Sequence, residues 1–204
     1  MQLARAKNII LQDKTEWPLY MAEENDRSSL MKYGITLILV GHILQALGSF
    51  FFVAAISSIV GVHWGIDYWF VMHILRAVLD IGFLFVVPMI LGTIATSFGG
   101  QNDTMSALKL YVYAMTPGWI GGILMFIPII GWIAALAGGI YGIYLFWVHI
   151  DEAMKIPADK KVGYVVVSLL VIIVVNIVIG VIVSGITGMM FVTAAMTTGA
   201  GWMH

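Results

Sequence analysis

Arg76 and Asp80 stand four residues apart inside a long apolar run, with His73 one turn earlier. On a helix residues at that spacing share one face. Ionisable groups at membrane depth are costly to place and mark functional positions by default. In a proton or ion path Asp80 would be the titrating group and Arg76 the charge that tunes it. The competing reading is a neutral ion pair that lowers its own insertion cost, tied to His42, Gln45 or Asn176 on other apolar runs.

A second cluster, His149, Asp151 and Glu152, closes another apolar run. His149 and Glu152 are a turn apart, but a metal needs more ligands in a defined geometry, so a solvated helix end explains them better. Met189, Met190, Met196, Met203 and His204 carry soft-ligand character without regular spacing, and read as membrane-facing residues. No metal or cofactor is expected. The chain has no cysteine, which removes disulfides, thiolate sites and thiol nucleophiles. It has no Walker loop, no G-x-S-x-G elbow and no H-E-x-x-H helix. Phe98-Gly99-Gly100-Gln101-Asn102 opens no phosphate-binding unit and reads as a connecting turn. A non-enzyme is the expectation.

The elements that position these residues follow from composition. Of 204 residues, 61% are hydrophobic and 10% charged, with a mean hydropathy of +0.98. A soluble domain carries about a quarter charged residues, so this chain cannot cover itself with polar surface and lipid must be its main solvent. The net charge of -1 provides no basic field for nucleic acid.

A crossing helix needs about 20 apolar residues. Five segments meet that demand: Tyr33–Ile56, Tyr68–Ser97, Ser106–Ile127, Trp132–Ile150 and Gly163–Thr187. Pro88 and Pro117 fall inside two of them, where proline kinks or breaks a helix. Apolar sequence starts too far from Met1 for a secretory signal, so the first span is expected to be an uncleaved anchor.

The expected fold is therefore all-α, a polytopic bundle of five transmembrane helices. Arg5, Lys7, Lys14, Arg27 and Lys32 precede the first span, Lys109 follows the second, and Lys155, Lys160 and Lys161 lie between the fourth and fifth. Ser57–Asp67, Pro128–Gly131 and the C-terminal tail have no Lys or Arg. The positive-inside rule then sets the N-terminus in the cytoplasm and the C-terminus on the opposite side. Three regions result: an N-terminal arm over residues 1–32, a membrane domain over 33–187, and an apolar tail over 188–204, read as an outer-surface or re-entrant segment. Within the arm, Leu3, Ala6, Lys7 and Ile10 fit a short amphipathic helix, and Trp17, Pro18, Leu19 and Tyr20 an interfacial anchor; a flexible arm is the alternative.

Two spans carry small residues four apart, Ala134, Gly138 and Gly142 on one, Gly180, Ser184 and Gly188 on the other. Such faces let helices approach closely in lipid, within one chain or between two copies.

The stretch Ala107-Leu108-Lys109-Leu110-Tyr111-Val112-Tyr113-Ala114-Met115-Thr116-Pro117 resembles the Yip family, the Ypt/Rab-interacting membrane proteins. Similar too are Phe98-Gly99-Gly100, Ile127-Pro128-Ile129-Ile130-Gly131, Ile140-Tyr141-Gly142-Ile143-Tyr144-Leu145, Met154-Lys155-Ile156-Pro157 and Lys161-Val162-Gly163-Tyr164. Arg5-Ala6-Lys7-Asn8-Ile9-Ile10 and the Trp17 region are similar to the start of short prokaryotic members. The resemblance implies a five-span domain with a cytoplasmic N-terminus, in a prokaryotic inner membrane. Eukaryotic relatives act in vesicle trafficking and bind Rab-type GTPases through longer cytosolic regions than the arm found here. The pair Arg76–Asp80 has no counterpart in that pattern.

Two functions follow as expectations. One is a non-enzymatic scaffold or adaptor with membrane lipids around it and a protein partner or second copy bound to it. The other is a small transporter or channel using His73, Arg76 and Asp80; an accessory subunit of a larger membrane complex is a third.

Overall fold

The computed structural model describes residues 2–23, 27–60 and 66–199. Those residues form seven α-helices: α1 Gln2–Leu11, α2 Asp13–Ala22, α3 Arg27–Val60, α4 Ile66–Ser97, α5 Thr104–Ile123, α6 Pro128–Met154 and α7 Lys161–Gly199. No strand occurs among the described residues. Four helices contain segments long and apolar enough to cross a membrane: Arg27–Phe51, Trp69–Ser97, Ile129–Met154 and Lys161–Met190. The third expected span corresponds to α5, which is 20 residues long but less apolar. Its position explains the difference. Ala107 to Ala114, Thr116 and Pro117 are buried almost without interruption, between α3, α4 and α6. A helix wrapped by other helices needs no lipid-compatible outer face, so Lys109, Tyr113 and Thr116 are tolerated.

Helix ends are set by local chemistry. α4 stops in a Schellman turn, with Gly100 N–H donating to the Ala95 carbonyl (2.9 Å) and Gly99 N–H to the Thr96 carbonyl (3.1 Å). Gly99 holds φ +79, a conformation that favours glycine. Asp103 caps α5, accepting from the N–H groups of Met105 (2.9 Å) and Ser106 (3.2 Å) and from the Ser106 hydroxyl (2.7 Å). α6 starts with Pro128 at its first turn and ends at Lys155 in the left-handed region.

Neither Pro88 nor Pro117 breaks its helix. Near Pro117, Thr116 bonds the Val112 carbonyl (2.9 Å) and the Tyr33 hydroxyl of α3 (3.0 Å). α7 continues through residues 188–199 to Gly199; residues 200–204, with Met203 and His204, lie outside the described residues. The arm is not loose where it is described. α1 and α2 dock on the ends of α5 and α6, burying Ala6, Ile9, Trp17 and Tyr20 in the core.

Candidate functional site

The polar residues of the membrane region converge. Asp80 lies roughly 25 Å along α4 from Ser97, at 1.5 Å per residue, so the site sits in the half of the bundle away from the arm. His42 of α3 reaches it, with Nε2 2.8 Å from Asp80 Oδ2. Arg76 Nε donates to that same oxygen at 3.4 Å, and its Nη2 donates to Asn176 Oδ1 of α7 at 3.5 Å. The expected i,i+4 pair therefore forms, but His42 is the closer partner. His73 instead meets Ser49 of α3, at 3.2 Å between Nε2 and the hydroxyl. Gln45 donates to the Gly122 carbonyl at 3.0 Å, tying α3 to α5.

All of these bonded residues except Ser49 line a cavity of about 610 Å³ bounded by α3, α4, α5 and α7. That volume lies within the range of about 300–1,000 Å³ typical of small-molecule sites. Glycines open the space. A Cβ at Gly118 or Gly180 would meet nothing within 4 Å, and Gly41 is close to open. The rest of the lining is apolar, including Met72, Phe83, Met115, Trp119 and Val183. Chemically the cluster offers a guanidinium that can grip an anion, a carboxylate, and an imidazole whose Nδ1 is buried without a partner among the described residues. It can bind a charged head or hold a proton. Among the described residues no group of three His, Asp or Glu could hold a metal.

The opposite end of the bundle carries a polar cap. Trp17 of α2 is fully buried and stacks on His149 of α6, with ring centroids 4.0 Å apart and planes 6° from parallel. His149 Nε2 is 3.9 Å from Asp13 Oδ2, too far for a hydrogen bond, and faces the arm rather than Glu152. Lys109, counted among the cations after the second span, is 6% exposed and donates to the carbonyls of Met21 and Glu23 at 2.7 Å each. Its charge thus closes the C-terminus of α2, where a cation is favoured. Arg5 bonds Glu23 (2.7 Å) and the Tyr113 hydroxyl (3.1 Å). Burial opposes the Arg5 charge, yet Tyr113 and Glu23 outweigh it and raise its pKa. Burial also raises the Tyr20 pKa, against a hydrogen bond from Asn8. Lys161 bonds Asp151 at 2.6 Å, and Gln101 N–H donates to the Met154 carbonyl at 3.0 Å.

The two small-residue faces separate. Added Cβ atoms at Gly138 and Gly142 would run into the backbone of α5, at Pro117 and Ala114, and one at Gly121 of α5 into Ala134. That face is spent within the chain. On α7, Gly180 and Ser184 border the cavity, and a Cβ at Gly188 meets nothing within 4 Å.

Sequence reading missed how α5 serves the site. Gly118, Trp119 and Gly122 line the cavity, yet nothing in their spacing distinguishes them from ordinary packing residues.

No curated protein and no solved structure matches the chain. The Yip1 domain does, over residues 22–179, from the end of α2 to two-thirds of the way along the Lys161–Met190 segment of α7. The cavity lining except Gly180, Val183 and Ser184, and most of the cap, fall inside the match, and α1 and nearly all of α2 precede it. With most of its length covered, and with the membrane helices just described, the chain belongs to the Yip1 domain family of membrane proteins.

Proposed function

We propose that this Yip1-domain chain is a non-enzymatic scaffold or adaptor that organises proteins or lipids at a cell's plasma (inner) membrane. One observation carries the reading: the distribution and fixing of charge. Of ten Lys and Arg residues, all but Arg76 belong to the arm, to the helix ends beside it, or to the 155–161 connection. By the positive-inside rule that end faces the cytoplasm. With α5 as the fifth crossing, the far end of α7, residues 188–199, lies on the other side.

The cap is held rigid. Trp17–His149 stacking, the buried Lys109, Arg5–Glu23 and Lys161–Asp151 hold the arm and the helix ends as one mixed-charge platform. Such a surface suits a cytoplasmic protein or a second copy, with lipid covering apolar flanks such as Trp132, Leu136 and Ile173. Photo-crosslinking residues placed singly at Lys7, Lys14 and Glu152, all exposed on the cap, provide the test in living cells. The expected result is one discrete protein adduct from cap positions and none from Ile129 at the opposite end. Monomer alone from every cap position contradicts the reading.

A further inference from the structure

We propose that the intramembrane cavity is a binding site for a single-chain amphiphile with a carboxylate head, a fatty acid, gripped by Arg76. This goes beyond the scaffold reading and does not depend on it.

The argument starts from Arg76. A guanidinium has five donors in a planar fork suited to a carboxylate. Among the described residues Arg76 makes two hydrogen bonds, at 3.4 and 3.5 Å, both at the outer limit of the interaction. Asp80 is held more closely by His42, at 2.8 Å, so it does not monopolise the arginine. The Arg76 side chain keeps 38% of its surface accessible and borders the cavity. A loosely held cation in a low-dielectric site is an anion receptor waiting for a closer partner.

The remainder of the cavity suits a chain. Phe83, Trp119, Met72, Met115 and Val183 present apolar walls, and methionine adapts to irregular shapes. Gly118 and Gly180 leave the space between α5 and α7 unfilled. A head without a tail would leave these walls bare, and a tail without a charge would leave Arg76 as it is.

A carboxylate head brings its negative charge to Arg76, while Asp80 keeps His42 as its nearer partner at 2.8 Å. The other titratable groups bordering the cavity are His73 of α4 and Tyr111 of α5, and α7 contributes none.

The test uses the full chain in lipid nanodiscs with photo-crosslinkable palmitic acid, its adducts mapped by peptide mass spectrometry. Labelling is expected on cavity-lining segments of α3, α4, α5 and α7. Palmitate should compete at least tenfold better than hexadecanol, which has the chain without the charge, or acetate, which has the charge without the chain. Arg76→Gln should lower cavity labelling at least tenfold, with Arg76→Lys intermediate. Gly118→Leu leaves every charged group in place and fills the space, so it guards against misfolding of the arginine variant; it too should abolish the labelling. Equal competition by hexadecanol, or labelling unchanged in a folded Gly118→Leu, overturns the proposal.

Discussion

His42 Nε2 lies 2.8 Å from Asp80 Oδ2, closer than Arg76 Nε at 3.4 Å on the same oxygen. The carboxylate on α4 thus answers first to α3 and only second to the arginine one turn before it. An i,i+4 pair that looks self-contained is in fact a three-helix junction, because Arg76 continues to Asn176 on α7.

Asp80→Asn keeps the shape of the side chain and removes its charge, leaving Arg76 uncompensated at membrane depth. The loss should be about 1–3 kcal/mol, in the range of unpaired buried groups. Thermal unfolding in detergent measures it. Arg76→Gln combined with Asp80→Asn should recover part of the loss, since both charges then disappear together.

The α5–α6 seam permits a sharper contrast. An added Cβ at Gly138 would lie well inside 3.0 Å of the Pro117 carbonyl oxygen, whereas one at Gly139 meets nothing within 4 Å. Gly138→Ala should destabilise by about 1–3 kcal/mol through overpacking. Gly139→Ala, one residue along and on the open face, should be neutral or slightly stabilising by helix propensity. Unfolding midpoints of the two variants decide it.

Trp17→Ala removes the fully buried ring that stacks on His149. Truncating a buried tryptophan costs about 3–5 kcal/mol, enough to free the arm while the membrane helices stay folded. Trypsin cleavage at Lys7 and Lys14 should accelerate at least about 100-fold and up to about 4,000-fold, whereas sites in the 155–161 connection should change little, the factor following from about 1.4 kcal/mol per decade.

Asp103 gives a pH signature outside the membrane. Burial works against its charge, but hydrogen bonds from Ser106 and Met105 outweigh it and hold its pKa below the usual carboxylate value. A folded-state pKa below the unfolded one means the cap stabilises fully above the unfolded pKa. The contribution is then lost as pH falls through the folded pKa. Asp103→Ala should cost about 1 kcal/mol. The gap to wild type should be constant from about pH 5 to 8 and shrink below about pH 4, as measured by denaturant or thermal unfolding across that range.

How much of this was legible beforehand depended on whether the information was local. The spacing of Arg76 and Asp80, the apolar runs and the Phe98-Gly99-Gly100 turn are local: the pair forms, four of the five expected spans lie in helices long and apolar enough to cross a membrane, and the turn closes α4. The partners across helices are not local. His42 and Asn176 could be named as polar residues on other spans, but their register against Asp80 and Arg76 comes from how α3 and α7 pack on α4. Lys109 counts among the cations after the second span because charge suggests solvent; its amine is instead taken by two carbonyls at the end of α2. The sequence after Gly188 looked like a break because Gly and Thr are poor helix formers. Within α7, the hydroxyls of Thr187 and Thr193 bond back to the carbonyls of Val183 and Met189, so these residues fit the helix. The proposed fifth crossing divides in the same way: α5 has the length, but its interior position relaxes the demand for apolar residues.

The central claim is an odd number of crossings with the charged cap in the cytoplasm, and the absence of cysteine makes its test clean. Single cysteines at Lys160, Ile129 and Met189 would be probed in cells with a membrane-impermeant maleimide. Ile129 and Met189 are both highly exposed on the protein surface. The account predicts labelling of Ile129→Cys and Met189→Cys from outside, and of Lys160→Cys only after permeabilisation. Met189→Cys protected together with Lys160→Cys, while Ile129→Cys reacts, would contradict it.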